Sequence, residues 1–208
     1  MEITTPPVDL YWEIQGYSIP ADYQYWLYSG LVAIYPPLKV DRDWHWQLGG
    51  INGDYGGRSL FLHPGSRLHL RSPSDRVPEL VAAMSDRVIR VGTSLIQLGS
   101  VEGEPIVPQS TLSSRVVTFA QVEARKRGGE PLPFEFGVTL GKQMKALNVE
   151  STPFLGKKVS FHIRGELTKG FSVEFRTLEP KESLSLQTYG IGGRRRIGGG
   201  VFKACNPP

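Results

Sequence analysis

Cysteine is almost absent: Cys205 stands alone in 208 residues. No internal disulfide can form, and no cysteine-built zinc site. A reducing cytosol is therefore the expected home. Long apolar runs are missing too. Every apolar stretch is broken by Gly, Pro or charge well short of a bilayer-spanning length, so no membrane helix and no membrane partner are expected. The opening MEITTPPVDLYWEIQG carries acids and no basic run, unlike a secretory signal. Histidine is scarce, with four in the chain. A 39% apolar and 21% charged composition suits folded protein, and the length suits two small domains.

Alternation and helical spacing organise the first half. In VDLYWEIQ, Val8, Leu10, Trp12 and Ile14 face one side of a strand. Pro20 suits a helix start. Tyr23, Leu27, Leu31 and Ile34 then recur at helical spacing until Pro36-Pro37, with Tyr25 and Tyr28 off the stripe. A loop carrying Asp41, Arg42, Asp43 and His45 follows. SLFLH and SRLHLRS read as a hairpin turned at His63-Pro64-Gly65, with Arg67, His69 and Arg71 facing out. DRVPELVAAM is a helix, and RVIRVGTSLIQLG a strand or strand pair. The order β-α-β-β-α-β is that of a ferredoxin-like unit.

Residues 101–109, VEGEPIVPQ, read as a linker, after which the order repeats. SSRVVTFAQVEA is a strand. PFEFGVTLGKQMKALNV places Phe136, Leu140, Met144 and Leu147 on one helix face. KKVSFHIRG and GFSVEFRTL form a hairpin with Val159, Phe161 and Ile163 opposing Phe171, Val173 and Phe175, which leaves His162 facing away from that core. PKESLSLQTYG is a helix and VFKAC a last strand. The expected fold is α+β: two tandem ferredoxin-like domains, residues 1–102 and 108–208, with a glycine-rich loop near the C-terminus.

Positive charge is concentrated late. Residues 156–208 hold ten Lys/Arg against four Glu, while the whole chain is only +4. Such a patch suits a polyanion, or is a solvated basic face. Within it lies GIGGRRRIGGGVF, residues 190–202, with six glycines around Arg194, Arg195 and Arg196. A turn of this kind can offer backbone N–H groups and bidentate guanidinium groups to phosphate. It is not a P-loop, since no Lys-Ser/Thr pair opens a helix, and not a dinucleotide fingerprint, since no strand precedes it.

LQTYGIGGRRRIGGGVF, with IPADYQYWLYSGL and NGDYGGRSLFLHPGSRLHLR, resembles the CRISPR-associated RAMP endoribonucleases that cut repeat RNA into guide RNAs. The Gly-Gly-Arg-Arg-Arg-hydrophobic-Gly arrangement is similar to the Myxan-type subgroup, also found with CRISPR-associated transposons. The resemblance implies attack by a 2′-hydroxyl on the adjacent phosphate with no metal and no cofactor. It implies as partners the repeat RNA with its 3′ hairpin, Cascade backbone subunits and, in the transposon-linked branch, transposition proteins.

The resemblance also implies a histidine just after the first helix, where His45 stands, and a tyrosine on that helix, Tyr28 or Tyr25. Histidine suits the proton transfers because its pKa lies near neutrality. His63 reads as a turn residue, while His69 and His162 read as outward strand residues able to touch RNA. The third, charge-stabilising partner has no matching lysine after His45; Lys39, Arg42 and Arg58 are nearby cations. RNA contact is expected from Arg194, Arg195, Arg196, Gly192, Gly193, Gly198, Gly200, Lys157, Lys158, Arg164, Arg67 and His69. A non-cutting subunit that caps the repeat hairpin fits the same residues.

Overall fold

The computed structural model describes residues 5–41, 45–119 and 132–205. The chain divides into two compact units, Met1–Pro105 and Ile106–Pro208. Each is a mixed α/β unit with antiparallel sheets. No helix among the described residues is long and apolar enough to cross a membrane.

In the first unit, β1 (Pro7–Gln15) is the central strand. It is flanked by β6 (Arg67–Pro73) and β8 (Ser94–Pro105). β3 (Gln47–Ile51) and β7 (Val88–Val91) complete the order β3-β6-β1-β8-β7. Leu10, Trp12 and Ile14 are buried, as their alternation predicts. They join Leu27 and Leu31 of α1 (Gln24–Ile34) and Leu80 and Met84 of α3 (Val77–Met84) in one core. A short α2 (Pro37–Val40) follows α1, with proline at its start.

Three expectations about the elements of this unit fail. The segments 59–61 and 67–71 are not paired with each other. β5 (Ser59–Phe61) lies between β2 (Ser18–Pro20) and β4 (Asp54–Gly56) in a separate three-stranded sheet. β6 pairs with β3, a strand hidden in the sequence by Gly49 and Gly50. Pro20 ends β2 rather than opening α1. VEGEP is no linker: it extends β8 to Pro105, and Glu104 lies opposite Asp9.

The second unit has the order β10-β11-β9-β12. These are β9 (Leu112–Val117), β10 (Pro153–Ile163), β11 (Glu166–Phe175) and β12 (Lys203–Ala204). Residues 120–124 of the expected first strand lie outside the described residues. α4 (Pro133–Ala146) buries Phe136, Leu140 and Met144 as spaced, and Phe136 packs on Phe119 and Phe171 at 4.8 and 4.9 Å between ring centroids.

α5 (Pro180–Tyr189) opens with a reciprocal capping box between Glu179 and Glu182. The β10–β11 register differs from the expected one. Arg164 (φ 53°) and Gly165 (φ 82°) form the two-residue turn, so Phe171 faces Lys158 and Val159 faces Gly170. Two successive positive φ values match strand twist in a tight hairpin, and this fixes the turn there rather than nearer residue 168.

Candidate active site

His45 is half-buried immediately before β3. Its neighbour Trp46 is buried, and the indole Nε1–H donates to the Leu38 carbonyl at 2.9 Å. The Trp46 ring stacks on Tyr28 of α1, with centroids 6.1 Å apart and planes 9° apart. Tyr25 lies 6.3 Å from Tyr28 by centroid. The far end of β3 is tied to Tyr23, the residue that caps the start of α1. The Tyr23 hydroxyl donates to the Ile51 carbonyl at 3.0 Å and accepts the Ile51 N–H at 2.8 Å. The candidate tyrosine on α1 and the strand following the candidate histidine are thus joined, through Trp46 and through the Tyr23 cap.

Upstream of His45, Asp41 caps α2. Its Oδ2 accepts from Arg76 Nη2 at 2.7 Å, while Arg76 Nη1 donates to Glu79 Oε1 at 2.9 Å. The Tyr35 hydroxyl donates to Glu79 Oε2 at 2.7 Å. The hydrogen bond from Tyr35, then that from Arg76, holds the exposed Glu79 carboxyl below its ordinary value. Arg42 and Asp43 lie outside the described residues. Lys39 and Arg58 are exposed, on α2 and in the β4–β5 turn.

The other histidines fall in three environments. His63 does hold a turn, its Nδ1 accepting the Gly65 N–H at 3.2 Å. His162 is exposed on β10. His69 is not the outward residue its alternation suggests: it is 4% exposed, with Nε2 2.8 Å from Asp9 Oδ1.

Arg71, also expected outside, is 1% exposed and grips both Asp9 oxygens, at 2.6 Å from Nε and 2.8 Å from Nη2. The Tyr11 ring stacks on His69 at 4.8 Å. Burial raises the Asp9 pKa, but the hydrogen bonds and charges of His69 and Arg71 outweigh it and hold the carboxylate far below its usual range. Burial, then the Asp9 and Glu104 charges, pushes the Tyr11 phenol up to about 12. Gly49 is required here, because a Cβ at that position would overlap the His69 ring. Strand alternation places polar residues on the second sheet face; it does not say that this face is buried. His69 therefore braces the sheet and is removed from the surface residues able to touch RNA. Arg67 is half-buried at the strand's end, 3.2 Å from Glu13.

The glycine-arginine run is part of the fold of the second unit. Gly192 N–H donates to Gln143 Oε1 of α4 at 2.7 Å, and Gly193 N–H to the Thr118 carbonyl at 2.9 Å. Gly200 N–H donates to the Val116 carbonyl at 2.7 Å, and Ile191 N–H to the Gly200 carbonyl at 3.1 Å. Arg195–Ile197 form one 3-10 turn, from which Gly198 N–H donates back to the Arg195 carbonyl.

The expectation that Gly192, Gly193, Gly198 and Gly200 offer N–H groups to phosphate is therefore corrected, since all four donate within the unit. Two of these glycines serve close approach. Gly192 (φ 86°) and Gly200 (φ 69°) lie against the Thr118 and Ile191 carbonyls, where a Cβ would collide. Arg195 is half-buried and braces the loop, Nη1 donating to the Gly192 carbonyl at 2.8 Å. Arg194 is exposed, and Arg196 half-buried. Lys157, Lys158 and Arg164 are exposed on β10 and its turn.

Comparison with known proteins gives concordant results. Residues 8–206 match the family model described as Cas6 Crispr. The chain is 30% identical over 197 residues to the CRISPR-associated endonuclease Cas6 of Myxococcus xanthus (strain DK1622), covering 94% of this chain and 80% of that protein. A solved structure described as a RAMP protein binding different RNA substrates superposes with a TM-score of 0.64 at 13% identity, covering 96% of this chain and all of that one. Thermus thermophilus Cse3 bound to an RNA representing a pre-cleavage complex superposes with a TM-score of 0.56 at 11% identity, covering 97% of this chain and all of that one. At such identities the structural likenesses speak to the fold.

Proposed function

The chain belongs to the Cas6 family, and on that premise we propose that it binds CRISPR repeat hairpins and cuts precursor CRISPR RNA by a metal-independent reaction. The observation that carries the reading is the match to an endonuclease over nearly the whole chain. Each unit is read as ferredoxin-like, which the strand orders β3-β6-β1-β8 and β10-β11-β9-β12 support. Residues 1–102 carry the chemistry and residues 108–208 the grip on RNA. The Myxococcus relative and the Gly-Gly-Arg-Arg-Arg run favour the Myxan-type subgroup; transposon association rests on the resemblance of that run alone.

In the proposed reaction the 2′-oxygen upstream of the cut attacks the adjacent phosphorus. The 2′-O–P bond forms, the P–O5′ bond breaks, and a 2′,3′-cyclic phosphate and a 5′-hydroxyl result. One group takes the 2′-proton and one supplies a proton to the leaving 5′-oxygen. His45 takes one of these roles, and Tyr28 flanks the same site. A positioned acid or base contributes on the order of 10²- to 10⁴-fold, and orientation supplies more.

Arg194 and Arg196 face phosphate from a loop whose shape is fixed by its own hydrogen bonds. Lys157, Lys158 and Arg164 extend the grip along β10 to the hairpin tip. Double-stranded RNA is read mostly by shape and phosphate contacts, which suits such a cationic surface on a hairpin stem. Retention of the product within a Cascade-type complex in the cytoplasm completes the reading.

The test is cleavage of a cognate repeat RNA in excess EDTA, beside the same RNA with 2′-deoxy at the nucleotide upstream of the cut. Cutting of the first and not the second is expected. Cutting of both, or loss of cutting in EDTA, overturns the mechanism. Tight binding without cutting of either, with or without EDTA, assigns the chain as a hairpin-capping subunit.

A further inference from the structure

The three-stranded sheet of the first unit has two faces of different character. Its inner face carries Ile19 of β2 and Leu60 of β5, both buried in the core. Its outer face carries Phe61 of β5, flanked in register by Ser18 of β2 on one side and Asp54 of β4 on the other. Directly opposed residues of antiparallel strands share a face, with Cβ atoms about 4.5–5.5 Å apart. A hydroxyl, an aromatic ring and a carboxylate therefore stand in one row. Phe61 is 38% exposed, and Tyr17, just before β2, is 79% exposed. Their rings meet edge to face, with centroids 5.8 Å apart and planes 83° apart.

The row is built on fixed backbone. The Leu62 N–H donates to the Tyr17 carbonyl at 2.9 Å, which sets Tyr17 beside the end of β5. The Phe61 ring lies across Gly56 of β4, where a Cβ would come 2.8 Å from Cε2. Arg58 is exposed in the β4–β5 turn, its carbonyl accepting the Ala21 N–H at 2.9 Å. Neither ring belongs to the core of the unit.

We propose that this face is a subsite for one unpaired base of the RNA, stacked on Phe61 with Tyr17 as a side wall. This rests on the reading that the chain binds repeat RNA, and it adds a contact on the unit that the hairpin grip does not use. Two rings are too small for a stable protein interface, which takes about 800 Å² from each partner. One base needs only a π-face. Asp54 adds selectivity. Its oxygens accept hydrogen bonds and repel phosphate, so it suits the Watson–Crick edge of guanine, where N1–H and the N2 amino group donate side by side. Arg58 supplies a cation on the same sheet for the adjoining phosphate.

The test uses the full chain and two uncleavable 2′-deoxy RNAs, the complete repeat with its unpaired flanks and the isolated hairpin. Kd is measured for the parent, F61A, F61L, F61W, Y17A and D54A, and each variant is melted to check that the sheet is kept. F61A is expected to bind the complete repeat about 5- to 100-fold more weakly, the worth of one base on one ring. Its Kd for the isolated hairpin is expected to stay within about twofold of the parent. F61L, apolar without a π-face, is expected to lose nearly as much, and F61W to stay within about threefold. If F61A melts early, Y17A carries the same comparison, with an expected loss of about 2- to 10-fold.

Abasic replacement along the flanks is expected to find one position whose loss matches F61A in the parent and adds nothing in F61A. Guanine there is expected to bind about 5- to 10-fold tighter than adenine, and D54A to erase that preference. F61A binding the complete repeat like the parent overturns the proposal and leaves this face to a protein partner, while the RNA reading stands. Equal weakening of repeat and hairpin in a well-folded F61A overturns it too, as does F61L binding like the parent. Equal affinity for all four bases overturns the Asp54 assignment. Failure of the parent to bind either RNA overturns the RNA reading itself, and this subsite with it.

Discussion

Gly200→Ala tests whether the glycine-arginine run is a built element or a flexible appendage. Gly200 has φ 69°, and a Cβ would strike the Ile191 carbonyl. The left-handed backbone alone costs an L-residue roughly 1–2 kcal/mol. Relief of the collision must displace a backbone that makes two hydrogen bonds, Gly200 N–H to Val116 O at 2.7 Å and Ile191 N–H to Gly200 O at 3.1 Å. Each is worth about 1 kcal/mol. The expected loss is about 3 kcal/mol for the second unit, which for a unit of that size lowers its melting transition by about 12–24 °C.

Gly193→Ala is the control. Gly193 does not have a positive φ, and a methyl added there would meet the Thr118 carbonyl at 3.9 Å, ordinary contact. Its expected cost is below about 0.5 kcal/mol. Calorimetry or urea unfolding of the two variants reads the difference directly. Equal, small effects would refute the reasoning and return the run to a solvated basic tail.

Glu182 gives a pH prediction. Burial raises its pKa, but the Ser151 hydroxyl and the N–H groups of Glu150, Glu179 and Ser151 outweigh that and bring it from an ordinary 4.5 down to about 2. The folded state therefore favours the carboxylate. Its contribution, on the order of 3 kcal/mol, is full above pH 5 and is lost as pH falls toward 2. E182Q should flatten that acid limb in unfolding experiments between pH 5 and 2, and an unchanged limb contradicts the assignment. Salt dependence tests the grip. If Arg194, Arg196, Lys157, Lys158 and Arg164 together neutralise about five phosphates of a partly single-stranded RNA, log K should fall against log salt with a slope of about −3.5. Removing Arg194 alone should reduce the slope by about 0.7, and a slope near zero contradicts phosphate contact.

Much of the framework is legible in the sequence because it depends on periodicity. Trp12 between Leu10 and Ile14, or Phe136 four residues before Leu140, can serve only one face, and both are buried. Pairing partners are less legible. Segment 59–61 is close in sequence to β6, yet it lies in another sheet, and the true neighbour β3 is disguised by the glycine that makes room for His69.

Long-range ionic partnerships are not legible at all. Nothing local in LHLRS announces that His69 and Arg71 meet Asp9, 60 and 62 positions away, because the strands bring them together by register. The glycine run could be identified from sequence as unusual, whereas its internal hydrogen bonding could be learned only from where β9 and α4 run beside it.

If this chain cuts repeat RNA with His45, the most direct measurement is single-turnover cleavage by H45A beside its affinity for the same RNA. Cleavage reduced by at least about 10²-fold with Kd unchanged is the expected result, the signature of a lost proton-transfer group. Cleavage at the parent rate would contradict the role of His45 and place the chemistry on another residue.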